Sequence, residues 1–427
     1  MHVTAVIAEY NPFHNGHSYQ IEKAKEETGA DYLIVIMSGD YVQRGTPAII
    51  DKYRRTEMAL SQGADLVIEL PLYYCLGSIE YFAESSVALI DRLNIADSLC
   101  FGSECGDIGT LNRIAEYIEE NNNETYRASF RRYIKEGMSF PAAQEKALLE
   151  TGMDEALASV IKEPNNALAT AYLRALIKRS SSIKPFTIKR IVSGYHEEEK
   201  GAYSATAVRS QLINREALYE LALSTPEKVL QIMVSDFNRR FPIVENDFTG
   251  ALFYKLHSCY TKALQEYVDR DSARKNALTE YLDVNEELSS RILSTYKEAL
   301  DFSDLCGKAK SRDITYTRLS RALMHIILDI KSENLKEYIR DDFHYYARIL
   351  GFKDDKMIRP LTHLLKERSG LPLITKLADA DRRIEKEAGK RMLYESIQAS
   401  ELYEKTVCRK YRQLFHSEYT KNVVKYR

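Results

Sequence analysis

A doubly wound α/β domain leading into a helical second half is the fold class the sequence predicts, and three observations predict it. Short β-branched runs alternate with longer amphipathic segments from His2 to about Ile191. After about Asn214 no convincing strand appears, and helical spacing takes over. At 427 residues the chain exceeds one ordinary core, which favours two domains.

Val3 to Glu9, Tyr32 to Met37, Leu66 to Leu70, Ser98 to Phe101 and Phe186 to Ile191 read as strands. The stretches between the first four read as crossover helices, which makes the sheet Rossmann-like and parallel. Gly106 to Ser182 is helical in pattern, with breaks at Gly137 to Pro141 and at Glu163-Pro164, and reads as an insertion before the last strand. Beyond Asn214, spacings such as Leu319, Leu323, Ile326 and Ile327 continue to the C-terminus, punctuated by Pro226, Pro242, Gly307, Gly351 and Gly370 to Pro372. These predict an all-α bundle and place the domains at residues 1–214 and 215–427. Without a low-complexity linker between them, the halves are expected to pack together closely.

Composition narrows the class. With 44% hydrophobic and 29% charged residues, the chain has the make-up of an ordered soluble protein. Its strongest apolar run, Leu33 to Met37, falls far short of the roughly 20 residues that cross a bilayer. Met1 and His2 lead straight into a strand without the segments of a signal peptide, so a cytoplasmic location is expected. The six cysteines, Cys75, Cys100, Cys105, Cys259, Cys306 and Cys408, contain no CxxC pair and are too sparse for a disulfide framework or a zinc site. They read as reduced and structural. The net charge of −2 hides an asymmetry: 23 Lys and Arg stand against 29 Asp and Glu through Arg215, but 37 against 33 beyond it. The second half is the natural place for a polyanion.

The strongest chemical signal is Glu9-Tyr10-Asn11-Pro12-Phe13-His14-Asn15-Gly16-His17, where the first strand ends and the first helix begins. Pro12 stops the strand, and Gly16 permits a base or ribose to lie against the backbone. His14 and His17 then stand at a helix N-terminus, whose free N–H groups and dipole favour phosphate. Two imidazoles add donors for phosphate oxygens whose charge grows during attack at phosphorus. Two histidines three apart can merely cap a helix. Their place after the first strand of a doubly wound sheet, with Gly between them, points instead to nucleotidyl transfer.

Here the sequence resembles the HxGH nucleotidyltransferase superfamily, which implies His14 and His17 as the catalytic residues on ATP phosphates and adenosine over Gly16. A second segment, Tyr203-Ser204-Ala205-Thr206-Ala207-Val208-Arg209, is similar to that superfamily's [IF]-S-S-T-x-[IV]-R pattern, with Ala205 replacing the second Ser. Ser204 and Thr206 can offer hydroxyls at a helix start, and Arg209 can neutralise β,γ-phosphates. Met37 to Ala48, Lys52 to Arg55, Leu66 to Pro71 and Phe101 to Glu104, with Pro164-Asn165-Asn166 and Lys189-Arg190, closely match the tRNA(Met) cytidine acetate ligase family. In the second half the resemblance is looser and rests on Tyr316 to Arg321 and Arg348 to Phe352.

That resemblance implies two steps: acetate and ATP give acetyl-adenylate and pyrophosphate, then the acetyl group passes to the wobble cytidine of elongator tRNA(Met) as N4-acetylcytidine. It also implies an ATP site made of Ile7-Ala8-Glu9-Tyr10-Asn11-Pro12-Phe13-His14-Asn15-Gly16-His17-Ser18-Tyr19-Gln20, joined by Gly102, Asn165 and Arg190. Gly102 lies at a strand's C-terminal end, where such sheets bind ligands. Asn165 either reads an adenine edge or ribose or caps a helix, and Arg190 either reaches phosphate or pairs at the surface. Mg²⁺ is expected with ATP, although no cluster of carboxylate ligands stands out. Acetyl transfer needs a proton acceptor, for which Asp40, Glu9 and Glu104 are candidates by position.

Arg44, Lys52, Arg54 and Arg55 follow a loop beside this site and either meet ATP or the anticodon backbone or form a solvated helix face. In the second half, Lys308, Lys310, Arg312, Arg318 and Arg321 crowd around Tyr316, and Lys405, Arg409 and Arg412 recur at helical spacing beside Tyr403 and Tyr411. Basic groups interleaved with aromatics suit phosphate contact and base stacking, so Arg318, Arg321, Lys405, Arg409 and Arg412 are the RNA-binding candidates. The rival enzyme class is a small-molecule adenylyltransferase of the cofactor-biosynthesis type, which uses the same two signatures in about half the length. A non-catalytic RNA-binding protein with a vestigial ATP site is a third reading, against which the intact His14, Gly16 and His17 argue.

Overall fold

The computed structural model describes residues 1–190, 205–214, 218–354 and 358–427. Strands and helices alternate at first: β1 (Val3–Ala8), α1 (Asn15–Thr28), β2 (Tyr32–Ser38), a hairpin of β3 (Tyr41–Val42) and β4 (Thr46–Pro47), α2 (Lys52–Ser61), β5 (Leu66–Leu70), α3 (Leu72–Cys75), α4 (Ile79–Leu93) and β6 (Ser98–Ser103). Five helices, α5 (Ile108–Glu120), α6 (Glu124–Lys135), α7 (Phe140–Glu150), α8 (Glu155–Ser159) and α9 (Pro164–Lys178), then precede β7 (Lys184–Lys189). The five predicted strands and the helical insertion are therefore present. Ile191, the predicted end of the last strand, lies outside the described residues.

β5, β2, β1, β6 and β7 lie side by side in that order, all parallel. Strand order reverses at β1, so the crevice beyond the C-terminal ends of β1 and β6 is the place where such sheets take ligands. Val3, Ala5 and Ile7 enter one core with Leu89 of α4 and Leu173 of α9, while Val6 and Ala8 enter the other with Ile21 of α1 and Met58 of α2. Burial on both faces is why these strands read as continuous apolar runs.

The second half is mainly helical: α10 (Ala205–Asn214), α11 (Leu218–Ser224), α12 (Glu227–Asp236), α13 (Thr249–Glu266), α14 (Arg270–Asn276), α15 (Glu286–Thr295), α16 (Phe302–Ala309), α17 (Tyr316–Ile327) and α18 (Ser332–Arg340) lead to α19 (Arg359–Arg368), α20 (Ala380–Arg383) and α21 (Glu387–Tyr411). It is not all-α, and that expectation is corrected. β8 (Ala347–Lys353) pairs antiparallel with β5, and β9 (Leu373–Ile374) and β10 (Val424–Tyr426) pair parallel with β8. Arg348 occupies a buried position in β8 and Gly351 interrupts its apolar run, which hides the period-two pattern. β9 and β10 are too short to show any period. The sheet thus takes strands from both sides of residue 214, and the larger core likewise joins Leu89 and Leu173 to Leu252, Leu319, Leu323 and Val407.

A buried charge cluster seals this junction. The Lys52 ammonium, at the start of α2, meets the Glu69 carboxylate of β5 at 2.8 Å and that of Glu418 at 3.2 Å, and donates to Ser400 Oγ of α21 at 2.8 Å. Arg348 closes the square, 3.1 Å from Glu69 and 2.6 Å from Glu418. Arg55, also fully buried, donates to the carbonyls of Glu9, Ser38, Gly39 and Ile50 and ties the ends of β1 and β2 together. Arg54 pairs with Glu57 and Asp236. Of the four cations read as anion contacts or solvated face, Lys52 and Arg55 are neither. Only Arg44 is exposed.

Burial alone would raise the Glu418 carboxyl, but the charges of Lys52, Arg348 and Lys421 outweigh it and hold the group well below the usual range. Its contribution to stability is fully present above the ordinary Glu value of about 4.3 and is lost as pH falls through the depressed one. Glu418→Ala removes one of the two carboxylates of the square, leaving Lys52 and Arg348 buried around Glu69, and is expected to cost about 3–5 kcal/mol in denaturant unfolding at pH 7. The deficit should shrink as the wild type is acidified. Lys23→Ala, which breaks an exposed pair with Glu26, should leave the unfolding midpoint where it is.

Candidate active site

The first motif is built as a helix cap. His14, only 7% exposed, is the N-cap of α1: its Nδ1 accepts from the Gly16 N–H at 3.1 Å, while its own backbone N–H donates to His17 Nδ1 at 3.3 Å. This is the reciprocal capping-box arrangement with histidines in both places. The rings stack, their centroids 3.9 Å apart and 27° from parallel. A side chain at position 16 would begin 2.9 Å from the His14 ring, so the glycine is required by close approach.

These bonds set the chemistry. An Nδ1 that accepts carries no proton, so each neutral ring has its proton on Nε2 and offers that N–H to an anion. Burial lowers the His14 pKa to about 4, and the charges of Arg190 and Arg209 push it the same way. His17 is also depressed, by burial and then by His14 and Arg190. Both rings are therefore neutral donors at pH 7, with two arginines close enough to repel a proton.

The crevice brings other predicted residues to this pair. Gly102 pairs with Ile188 across β6 and β7, and an added Cβ there would sit 3.2 Å from the Arg190 side chain. Arg190 donates to Asn165 Oδ1 at 3.3 Å, and Asn165 lies in the first turn of α9. Arg209, on α10, donates to the Asn11 carbonyl at 2.7 Å and so docks the second signature on the first. Ser204 lies outside the described residues, as does the side chain of Thr206. Within the first segment, Ile7, Ala8, Tyr10 and Phe13 are core residues, and Ser18 donates to Gln62 at 2.7 Å.

Of the three candidate proton acceptors, Asp40 is buried and accepts from the Lys52 backbone at 2.8 Å. Glu104 is held by the start of α9. Glu9 accepts from the Gln43 N–H at 2.8 Å, and burial raises its pKa against the pull of Arg209, Arg44 and Arg55. Sequence reasoning missed that Glu104 and Asn166 clasp each other, since partners 62 residues apart carry no local signal. Among the described residues no group of three or more His, Cys, Asp or Glu could share a metal ion, and no helix is long and apolar enough to cross a membrane. The six cysteines are free thiols.

The basic residues of the second half are distributed unevenly. Lys405 lies over the Phe415 ring at 4.4 Å, Arg409 donates to the Asp247 carbonyl, and Arg412, at the end of α21, is left-handed and exposed. Arg318 is half-buried, and Arg321 turns inward to Asp283 at 3.3 Å. Tyr403 is buried with its hydroxyl donating to the Ala48 carbonyl, and Tyr411 donates to that of Pro242, so neither ring is a free stacking surface.

The family model described as HIGH Nucleotidyl Transferase matches residues 1–418. The tRNA(Met) cytidine acetate ligase of Clostridium novyi is 37% identical over 380 residues, covering 88% of this chain and 90% of that protein. The protein of the same name from Thermoanaerobacter sp. is 36% identical over 408 residues, 94% of this chain and 95% of its own. Among solved structures, Thermotoga maritima TmcAL bound with alpha-thio ATP superposes with a TM-score of 0.86 at 26% identity, over 100% of both chains.

The capping bonds make a testable statement about protonation. In ¹⁵N–¹H NMR of the free protein both rings should appear as neutral Nε2–H tautomers at pH 7, with His14 protonating at about 4. Because folding depresses this pKa, the histidine's share of stability is present above the unfolded value of about 6.5 and fades as pH falls toward 4. A bound polyphosphate should raise the midpoint. A free-protein midpoint near 6.5 would mean that the rings are solvated and the cap is not formed.

Proposed function

The chain belongs to the tRNA(Met) cytidine acetate ligase family of the HIGH nucleotidyltransferases, and from that premise we propose that it acetylates the wobble cytidine of elongator tRNA(Met) using acetate and ATP. The observation that carries the reading is the reciprocal histidine cap at the switch point of the sheet, with Arg190 and Arg209 beside it.

An acetate oxygen attacks the α-phosphorus and pyrophosphate leaves with the bonding electrons. The Nε2–H groups of His14 and His17 donate to phosphate oxygens as charge accumulates there, and Arg190 and Arg209 neutralise it. The anhydride then supplies an electrophile that free acetate lacks. N4 of the cytidine attacks the acetyl carbonyl, AMP departs, and the amine proton passes to a base. Glu9 suits that role, since its carboxylate lies near Arg209 and burial raises its affinity for a proton. Mg²⁺ would enter with the triphosphate, held mostly by phosphate oxygens and water. Residues 1–214 would activate acetate and residues 215–427 would hold tRNA, in the cytoplasm where tRNA is modified. A cofactor-type adenylyltransferase would leave the second half without a task.

Acetate-dependent ATP–pyrophosphate exchange without tRNA tests the first step. Asn at position 14 can still cap, and Gln at 17 can still complete a capping box, so His14→Asn and His17→Gln should keep the melting temperature while exchange falls by about 10²–10³-fold. Wild-type exchange in both variants would reduce the motif to a helix start.

The second step has its own test. Neutralising Lys405 and Arg412, both exposed, should weaken tRNA binding and flatten its salt dependence by about one counterion for each phosphate no longer neutralised, with acetyl-AMP formation spared. Arg318, Arg321 and Arg409 form the second set, with melting temperature as a control because Arg321 and Arg409 also hold the fold. If none of these changes tRNA affinity, the anticodon must be held beside Arg44.

A further inference from the structure

The start of α9 presents an unusual solution to an ordinary problem. Its N-cap, Glu163, makes no side-chain cap bond, and Pro164 occupies the first turn, so the N–H groups of Asn165 and Asn166 need an acceptor from elsewhere. Glu104, just past the end of β6, supplies both: Oε1 accepts from the Asn165 backbone at 3.2 Å and Oε2 from that of Asn166 at 2.8 Å. Oε1 also accepts from the Asn165 side-chain amide at 2.5 Å. In return, Asn166 Oδ1 accepts from the backbone N–H groups of Glu104 at 2.9 Å and Cys105 at 3.1 Å.

Two consequences follow for Arg190. Because the Asn165 amide nitrogen is claimed by Glu104, its oxygen is left to face Arg190, which donates to it. Moreover, Glu104 accepts from the start of α9 and not from Arg190, so Arg190 is bonded to a neutral amide, and among the described residues it forms no ion pair. That positive charge reaches both imidazoles of the first motif. An arginine paired with a carboxylate would have much of its attraction for phosphate cancelled; one hydrogen-bonded to an amide keeps it.

We propose that Glu104 is a positioning residue of the nucleotide site: it caps α9 from outside, fixes the orientation of Asn165 and thereby aims Arg190, which forms no ion pair among the described residues, at the polyphosphate or ribose of ATP. This rests on the reading that the crevice binds ATP. It gives Glu104 a task other than that of base in acetyl transfer, since its oxygens accept three hydrogen bonds from the start of α9.

ATP affinity of the full chain, measured by calorimetry without acetate or tRNA, tests it in a double-mutant cycle. Glu104→Gln fills the same volume but turns one acceptor into a donor facing the donors of Asn165. It should still fold, with its melting temperature lowered by the weakened cap of α9, and bind ATP about tenfold more weakly. Arg190→Ala should weaken ATP at least as much, and adding Glu104→Gln to it should cost less than about a further twofold, because Glu104 acts through Arg190. Wild-type ATP affinity in Glu104→Gln, or losses that add fully in the double variant, would overturn the proposal. Glu104→Ala run in the same cycle guards against a compensating fit of glutamine. Intact ATP binding without acetate-dependent exchange would instead count against the ligase reading and leave this inference standing.

Discussion

The square of Lys52, Glu69, Arg348 and Glu418 is the contact on which the arrangement of this protein depends. Its four charges come from the start of α2, the end of β5, the added strand β8 and the C-terminal tail, and all are removed from water. Such a cluster is a poor source of net stability, because desolvation offsets most of the attraction, but it is unforgiving of a wrong partner. In the register observed, Arg348 of β8 reaches both carboxylates, and Glu418 of the tail lies between two cations. Through the neighbouring Arg55, the same region fixes the ends of β1 and β2, from which the active-site loops leave.

At the site itself, one set of bonds serves structure and chemistry together. The interactions that begin α1 hold each Nδ1 as an acceptor and so leave each Nε2 protonated. Serine or threonine with glutamate would cap the helix as well, but the glutamate would bring a negative charge and no N–H donor to face an anion. Keeping the rings neutral has a further benefit. Neutral donors beside Arg190 and Arg209 add hydrogen bonds without adding to the mutual repulsion that an empty site must tolerate.

The second half reaches this site through close backbone packing. Gly45, at the hairpin turn, has φ of 79°, and a Cβ there would fall 2.3 Å from the Arg321 nitrogen, while Ser320 donates to the Gly45 carbonyl at 2.7 Å. Helix α17 is therefore seated on the hairpin that carries the exposed Arg44 and the Gln43 N–H bound by Glu9. The helix that carries Arg318 and Arg321 and the loop that carries Gln43 and Arg44 are thereby packed directly against each other.

The parallel strands, the helical insertion and the two histidines were all legible in the sequence, because each is written locally: apolar runs of strand length, a helical period, and a glycine between two imidazoles at a strand-to-helix turn. Charge was not legible in the same way. Lys52 and Arg55 look like any basic helix start, and only the fold shows that they are enclosed by Glu69, Glu418 and four backbone carbonyls. The same holds for β8, where Arg348 breaks the alternation because its partners come from residues 69 and 418, and for Glu104, whose partners start a helix sixty residues on. Hydrophobic periodicity and the histidine cap of α1 depend on neighbours in the chain, so sequence alone determined the α/β class and the place of the two histidines at the end of β1. The pairing of buried charges depends on neighbours in space, and so the closure of the sheet, the orientation of Arg190 and the fate of each cation were decided only by the tertiary structure.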